Sequence, residues 1–494
     1  MSDLASIGRP GTPPAGAFRS CAVAALLVLV ACTGNGANRI TAPPPGPLGV
    51  RELAFLDTLE KRTFDFFWAR ANPDNGLIPD RWPTPSFSSV AAVGFGLTAY
   101  PIGVERGYIT RGQARDRVLT TLRFLWSAPS GDAPTGVTSY HGFFYHFLDM
   151  RTGFRFETVE LSTIDTSLLL GGILLCQSYF TGPDAGEVQI RALADSLYRR
   201  VDWTWIQPRA PLVAMGWTPE SGMIPVDYKG YDEAMVLYLF ALGSPTHPID
   251  PAAWPAWTST YQWGSYLGYE QVAFGPLFGH EYSQLWVDFR GIRDPYMRAH
   301  GIDYFENSRR ATLSQRAYAI ANPMRWTGYG ASVWGLTASD GPVDGTFMVN
   351  GASRQFFTYT ARGAALNGVK DDGTIAPTAA GGAVAFAPEI AVPALVAIRE
   401  RYPDAFGEYG FLDAFNPTYP SLGVAPKFGR NVADVWVDVD YLGIDEGPVV
   451  GMIENQRSGL IWRVMRTNPY LVRGLRRAGF TGGWLDAAPA VGPP

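Results

Sequence analysis

The chain has 494 residues, enough for two or three average domains or for one large helical toroid. At 47% hydrophobic and 17% charged it is excluded from the disordered and coiled-coil classes, and a net charge of −5 offers no basic face to nucleic acid. Only four of its 40 basic residues are Lys, which reflects genomic base composition and not a binding surface. The 15 Trp, 23 Tyr and 28 Phe serve a large core first; they are also what a carbohydrate cleft needs, because sugar rings stack C–H faces on aromatic faces.

At the N-terminus Arg19 precedes an apolar run over 22–31 that closes on Leu29-Val30-Ala31-Cys32. A basic flank, a short apolar region and small residues before a cut describe an export signal, too short to span a membrane. The ending resembles a bacterial lipobox, with Cys32 as the lipidated first residue of the mature protein. That places the protein on the cell envelope, at the outer membrane or periplasm. Residues 1–31 are thus expected to be a lipoprotein signal peptide. Residues 32–50, rich in Gly and Pro, read as a tether. The domain is expected over 51–485, with a tail over 486–494. Cys21 falls in the signal, so Cys176 is the one other mature thiol; no internal disulfide and no metal framework follow.

Amphipathic, charged helices are predicted over 52–70, 111–126, 187–205 and 307–322; in the first, Leu53, Leu56, Leu59, Phe64 and Phe67 recur near helical spacing. Six small-residue-rich apolar stretches begin near Ser88, Ser162, Tyr231, Tyr329, Pro388 and Ile444. Apolar nearly all round, they are expected to be helices buried on all sides. Alternation of the two classes predicts an all-α barrel with an inner and an outer ring. Four stretches carry acids at their heads: Asp165, Asp232 with Glu233, Glu389, and Asp445 with Glu446. Acids there would converge on one acidic mouth. Long loops over 71–87, 128–158, 206–230, 243–306 and 403–440 are uncommon in a compact domain unless they build a site. Short strands are expected over 346–350 and 355–360.

Candidate chemistry lies at the acid-headed starts. Ser162 and Asp165 have capping-box spacing, which competes with a cleft role for Asp165, whereas Glu160 precedes the cap and lacks that explanation. Asp232 and Glu233 open a helix whose dipole favours acids by about 0.3–1 kcal/mol. Adjacent helical side chains point about 100° apart, so one can cap while the other faces a cavity that raises its pKa. Tyr231 precedes them. His280, Gln284 and Trp286 combine an imidazole, an amide and a stacking ring suited to sugar hydroxyls, although a lone His is more often structural. Asp413 lies on an aromatic loop that ends in Asn416-Pro417, where an Asx-turn is the competing role. There is no Walker loop, Rossmann fingerprint, HExxH or G-x-S-x-G, and no cofactor is expected.

The runs GFLDAFNP, IDEGPVVGMIENQRSGLIW, ELSTIDTSLLLGGIL and LFGHEYSQLWVDFRG together resemble the bacterial glucoamylase-like domain family, over nearly all of 51–485. That family includes endo-β-1,2-glucanases that release sophorooligosaccharides. The resemblance implies an (α/α)6 barrel and an inverting glycoside hydrolase acting on β-1,2-glucan. It implies Glu233 as general acid and Asp413 as the residue that activates water. It further implies cleft roles for Glu160 and Asp165; Tyr231, His280, Gln284, Trp286 and Asp445 are expected from their residue types and positions to be substrate contacts. A monomer with an oligo- or polysaccharide substrate is expected. A polysaccharide lyase on the same toroid, or a glycan-binding lipoprotein without activity, are the alternatives; a lyase would use Tyr, His and Arg on a uronic acid, and acid-rich helix starts argue against it.

Overall fold

Ser89 and Ser162 each sit in extended backbone, accept an N–H three residues on, and start a helix that is buried along nearly its whole length. That repeated local device organises the computed structural model, which describes residues 48–489. The export signal, Cys32 and most of the tether lie outside the described residues. In chain order the helices are α1 (Val50–Arg70), α2 (Val90–Glu105), α3 (Arg111–Ser127), α4 (Thr163–Tyr179), α5 (Ala185–Arg199), α6 (Met235–Gly243), α7 (Ala253–Thr258) and α8 (Phe278–Trp286). They continue as α9 (Pro295–His300), α10 (Tyr304–Ala321), α11 (Pro377–Gly381), α12 (Pro388–Arg401), α13 (Gly443–Arg457), α14 (Leu460–Met465), α15 (Pro469–Arg477) and α16 (Gly483–Ala487).

Helices α2, α4, α6, α8, α11 and α13 are the thoroughly buried ones. By contrast α1, α3, α5 and α12 bury one apolar face and turn charged residues outward. Helix α2 packs on α4 and α13, and α11 packs on α12 and α13. The α2–α4 contact is backbone on backbone: a Cβ on Gly94 would lie 2.3 Å from the Leu168 carbonyl, and one on Gly172 would lie 2.1 Å from the Gly94 carbonyl. Small residues in these stretches therefore serve close approach.

Four of the six apolar stretches form buried helices, namely those from Ser88, Ser162, Tyr231 and Ile444. The Tyr329 stretch does not. Gly335, at φ 142, takes a conformation closed to other residues, and the chain runs as loop into the strand Ala338–Asp340, paired with Tyr359–Ala361. The Pro388 stretch is helical as α12, yet it is one-sided, and its head acid Glu389 ion-pairs with Arg309 at 2.6 Å. Their places among the buried helices are taken by α8, from the segment 243–306 expected to be loop, and by α11, from a segment outside the expected helices. In α8 the polar residues that hid the helix are bonded internally: Gln284 donates to the Tyr304 carbonyl at 2.9 Å and Trp286 to Thr98 at 3.0 Å.

The strand expected over 346–350 appears as Gly345–Val349, in a hairpin with Ala352–Phe356 turned at Asn350-Gly351 with both residues at positive φ; the one expected over 355–360 falls across the end of Ala352–Phe356 and the start of Tyr359–Ala361. More consequential are three short antiparallel ladders. Ser88–Ser89 pairs with Phe147–Leu148, Leu161–Ser162 with Gly216–Thr218, and Arg81–Trp82 with Tyr441–Leu442. Each fixes the residues just ahead of a buried helix, α2, α4 and α13 respectively.

Substituting Gly172→Ala should push two backbones apart. We expect a loss of about 1–3 kcal/mol, read as a lowered Tm in thermal unfolding; an unchanged Tm would contradict the contact.

Candidate active site

Around the starts of α4, α6 and α13 lies a run of carboxylates with His146 and Arg81 threaded through it. At one end lies Glu233, in the turn before α6. Asp232 accepts the Ala234 N–H at 2.9 Å and so caps the turn. Ser283 of α8 accepts the Val236 N–H and donates to the Glu233 carbonyl, both at 2.9 Å. The backbone of Glu233 is thereby fixed from outside its own helix. Its carboxyl is pushed up to about 7, first by burial, with the Asp165 charge adding to it against the pull of its own backbone N–H.

Asp165 completes a reciprocal cap, since Ser162 accepts its N–H at 3.2 Å and donates to its carboxylate. His146 then bridges two acids, with Nδ1 2.8 Å from Glu160 and Nε2 3.5 Å from Asp165. Burial alone would lower the imidazole, but Asp165, Glu160 and Asp80 outweigh it and push the ring up to about 9. For Glu160 burial is likewise overcome, by the hydrogen bond and charge of His146, and its carboxyl falls below the usual range. His146 is thus a cation that holds Glu160 as an anion.

Arg81 plays the matching part on the other side, 2.7 Å from Asp340, 3.3 Å from Asp80 and 3.8 Å from Asp440. Beyond it, the Asp340 N–H donates to Asp413 Oδ2 at 2.7 Å, while the Asp413 N–H donates to the Asp440 carbonyl at 2.9 Å. Burial, then Asp445 and Asp340, raise Asp413 well above the ordinary carboxyl range. Asp445 sits in the first turn of α13, where Thr378 of α11 donates to its carbonyl at 2.7 Å. Asp340, Asp413 and Asp438 bring one carboxylate oxygen each within 4.8 Å of one another. Arg81 already neutralises Asp340, and a backbone N–H takes one oxygen of Asp413, so protons and Arg81 account for this trio.

Of the residues singled out from sequence, the structure gathers Glu160, Asp165, Glu233, Asp413 and Asp445 into this run. It places Tyr231, His280, Gln284 and Trp286 elsewhere, inside the packing. Tyr231 lies in an aromatic cluster with Tyr261, His280 and Tyr304. The His280 Nε2 faces the Phe274 carbonyl at 3.1 Å, and burial lowers its ring to about 4, so it stays neutral. Trp286 stacks on Phe95 at 5.3 Å, fully buried. Together these hold α8 against α2, α6 and α10 and correct the sugar contact expected of His280, Gln284 and Trp286. Sequence reasoning missed His146, Asp80, Arg81, Asp340, Asp438 and Asp440. The signal open to it was the Asp-Arg-Trp-Pro run at 80–83 and the His within the loop 128–158.

Residues 225–469 match the Glycoamylase family model, described as "Putative glucoamylase". The crystal structure of a "putative glucoamylase" from Bacteroides uniformis is 30% identical, with a TM-score of 0.74, and the match covers 89% of this chain and 100% of that one. An endo-β-1,2-glucanase from Chitinophaga pinensis, solved with sophorotriose and glucose, is 28% identical with a TM-score of 0.74, over 88% of this chain and 100% of that one. A curated relative, the exo β-1,2-glucooligosaccharide sophorohydrolase (non-reducing end) of Parabacteroides distasonis, is 29% identical over 465 residues, 85% of this chain. The chain spans 57% of that relative's length.

His146 is raised in the folded protein, so its charge stabilises fully below the unfolded value of about 6.5 and ceases to as pH rises through about 9. His146→Gln should therefore cost about 3 kcal/mol near pH 6 and progressively less towards pH 9. Paired melting curves across pH 5.5–9.5 check this; a pH-independent difference would contradict the cationic bridge.

Proposed function

The chain belongs to the glucoamylase-like family, and we propose that it is a glycoside hydrolase that cuts β-1,2-glucan within the chain, by inversion. The observation that carries the reading is Glu233, a carboxyl held by α8 and pushed up to about 7 by burial and by Asp165. A carboxylic acid that keeps its proton near neutrality can deliver it to a leaving glycosidic oxygen. Asp413 is then the base that takes a proton from the attacking water, across a gap of roughly 6.5–9.5 Å that leaves room for it. Glu160 and Asp165, fixed by His146, supply oxygens for sugar hydroxyls beside the acid. The half-buried Tyr140 and Trp217, which pack together near Glu160, supply apolar faces for sugar rings.

The substrate reading draws on the two named glucan hydrolases. Both act on β-1,2 linkages, one endo and one exo. Endo action is favoured because the chain covers the whole endo-acting relative and only 57% of the exo-acting one. An (α/α)6 arrangement belongs to the same proposal, with α2, α4, α6, α8, α11 and α13 as its inner helices. Residues 51–485 form the catalytic domain in this reading, tethered to the envelope through Cys32.

Incubation with linear glucans of different linkage, products resolved by size, tests the substrate: sophorooligosaccharides of several lengths from β-1,2-glucan are expected, and no cleavage of any glucan would sink the reading. Glu233→Gln should lower kcat by about 10²–10⁴-fold while glycan binding persists. Since Glu233 works protonated, wild-type kcat should fall as pH rises through about 7. An alkaline limb that survives in the variant would remove Glu233 from the acid role. For the anchor, Cys32→Ala should move the protein from the membrane to the soluble fraction; equal partitioning of both forms would exclude lipidation.

A further inference from the structure

The strands Ala338–Asp340 and Tyr359–Ala361 run antiparallel, with Asp340 opposite Tyr359. The Arg362 N–H donates to the Thr337 carbonyl and the Gly341 N–H to the Thr358 carbonyl. Alternation along the ladder then leaves Asp340 and Tyr359 as a non-hydrogen-bonded pair. In such a pair the Cα atoms stand about 4.5 Å apart and both side chains lie on the same face. The N–H groups point away from the partner strand, and that of Asp340 donates to Asp413 Oδ2 at 2.7 Å. Asp340 turns its carboxylate into the acid run, to Arg81 at 2.7 Å. The Tyr359 ring therefore stands on the face that carries the run.

Tyr359 is 49% exposed, whereas Asp340, Asp413 and Asp445 are buried. The charges of Asp445, Asp413, Asp340 and Asp80 all reach its phenol, in agreement with the register. A single exposed ring is ordinary on a surface. This one shares its face with buried carboxyls, so it is the part of that face an incoming ligand meets first. The backbone beneath it is fixed on both sides. Arg362 donates to the Ser339 carbonyl at 2.8 Å, to the Phe357 carbonyl at 3.1 Å and to Asp372 at 2.7 and 2.8 Å. Thr358 donates its N–H and O–H to Asp344 at 3.0 and 2.7 Å. A ring carried on so fixed a backbone loses little freedom when something docks on it.

We propose that Tyr359 is a substrate contact, the platform on which the glucosyl unit attacked by water at Asp413 lays the C–H face of its ring. The inference rests on the hydrolase reading above and adds to it the side chain that seats this sugar. A tyrosine offers a flat apolar face while its hydroxyl stays in water, as a half-exposed ring beside acids requires. Asp340 ties the platform to the base, since its N–H holds Asp413 and its side chain shares a face with Tyr359. A sugar laid on the ring is thus brought to the Asp413 side of the run, not to Glu233 ahead of α6. The contact is neutral and moves no proton. It sets the position of the sugar and leaves the ionisation of the acids alone.

The test measures binding first and turnover second. In a Glu233→Gln background, Tyr359→Ala should weaken affinity for linear β-1,2-glucooligosaccharides by about tenfold, and Tyr359→Phe, which keeps the ring, should recover most of it. In the active enzyme Tyr359→Ala should lower kcat/KM by about tenfold through KM, with both limbs of the pH profile in place. Titrating the Glu233→Gln protein with the same oligosaccharides should shift the Tyr359 ring resonances, a reading that needs no change at Tyr359. Equal affinity of Tyr359→Ala and its parent would overturn the inference, as would a Phe variant as weak as the Ala variant. Displaced pH limbs or unmoved ring resonances on binding would overturn it too. In each of these cases the parent still binds β-1,2-glucan and the hydrolase reading stands. A parent that neither binds nor cuts any glucan removes that reading, and the platform with it.

Discussion

Carboxylates crowd the starts of the buried helices, and His146 and Arg81 stand among them as cations. A buried carboxylate is tolerable when it is paired, hydrogen-bonded or protonated. The molecule uses all three means within one run. Glu160 is paired by His146 and stays an anion. Asp340 is paired by Arg81. Farther from either cation, at Glu233 and at the Asp413–Asp445 contact, burial and neighbouring acids favour the proton. Scarcity of positive charge is therefore what separates anions from acids at this site.

Ladders of two residues hold this arrangement in place. They carry too few hydrogen bonds to stand alone, but each lies against a buried helix start, so packing of α2, α4 or α13 maintains it. In return the ladder orients the side chain beside it. Pairing of Ser89 with Phe147 places His146, and pairing of Trp82 with Tyr441 places Arg81. The two cations thus reach the acids from loop segments, while the helix starts supply Asp165, Glu233 and Asp445.

That division explains what was legible in the sequence. Apolar stretches headed by acids marked the starts of α4, α6 and α13, because helix burial and capping leave local patterns. His146, Arg81 and Asp340 left no helical pattern, only polar residue types within loops, since their positions depend on pairing between segments far apart in the chain. The Tyr329 stretch shows the opposite error. Its composition matched a buried helix, yet Gly335 needs a backbone no helix offers, and Trp334 is buried from a loop. Composition reported burial there and not conformation.

Helix α8 shows why polar residues in a buried segment mislead. His280, Ser283, Gln284 and Trp286 look like a recognition surface, since each can bond a hydroxyl. Inside the protein they instead bond the Phe274 carbonyl, the Glu233 backbone, Tyr304 and Thr98. A buried helix that must bind three neighbours in fixed register gains more from directional bonds than from interchangeable apolar contacts, because an unmet polar group inside costs about 1–3 kcal/mol. Through Ser283 that register reaches the Glu233 backbone. Ser283 of α8 therefore acts by fixing where the Glu233 backbone stands.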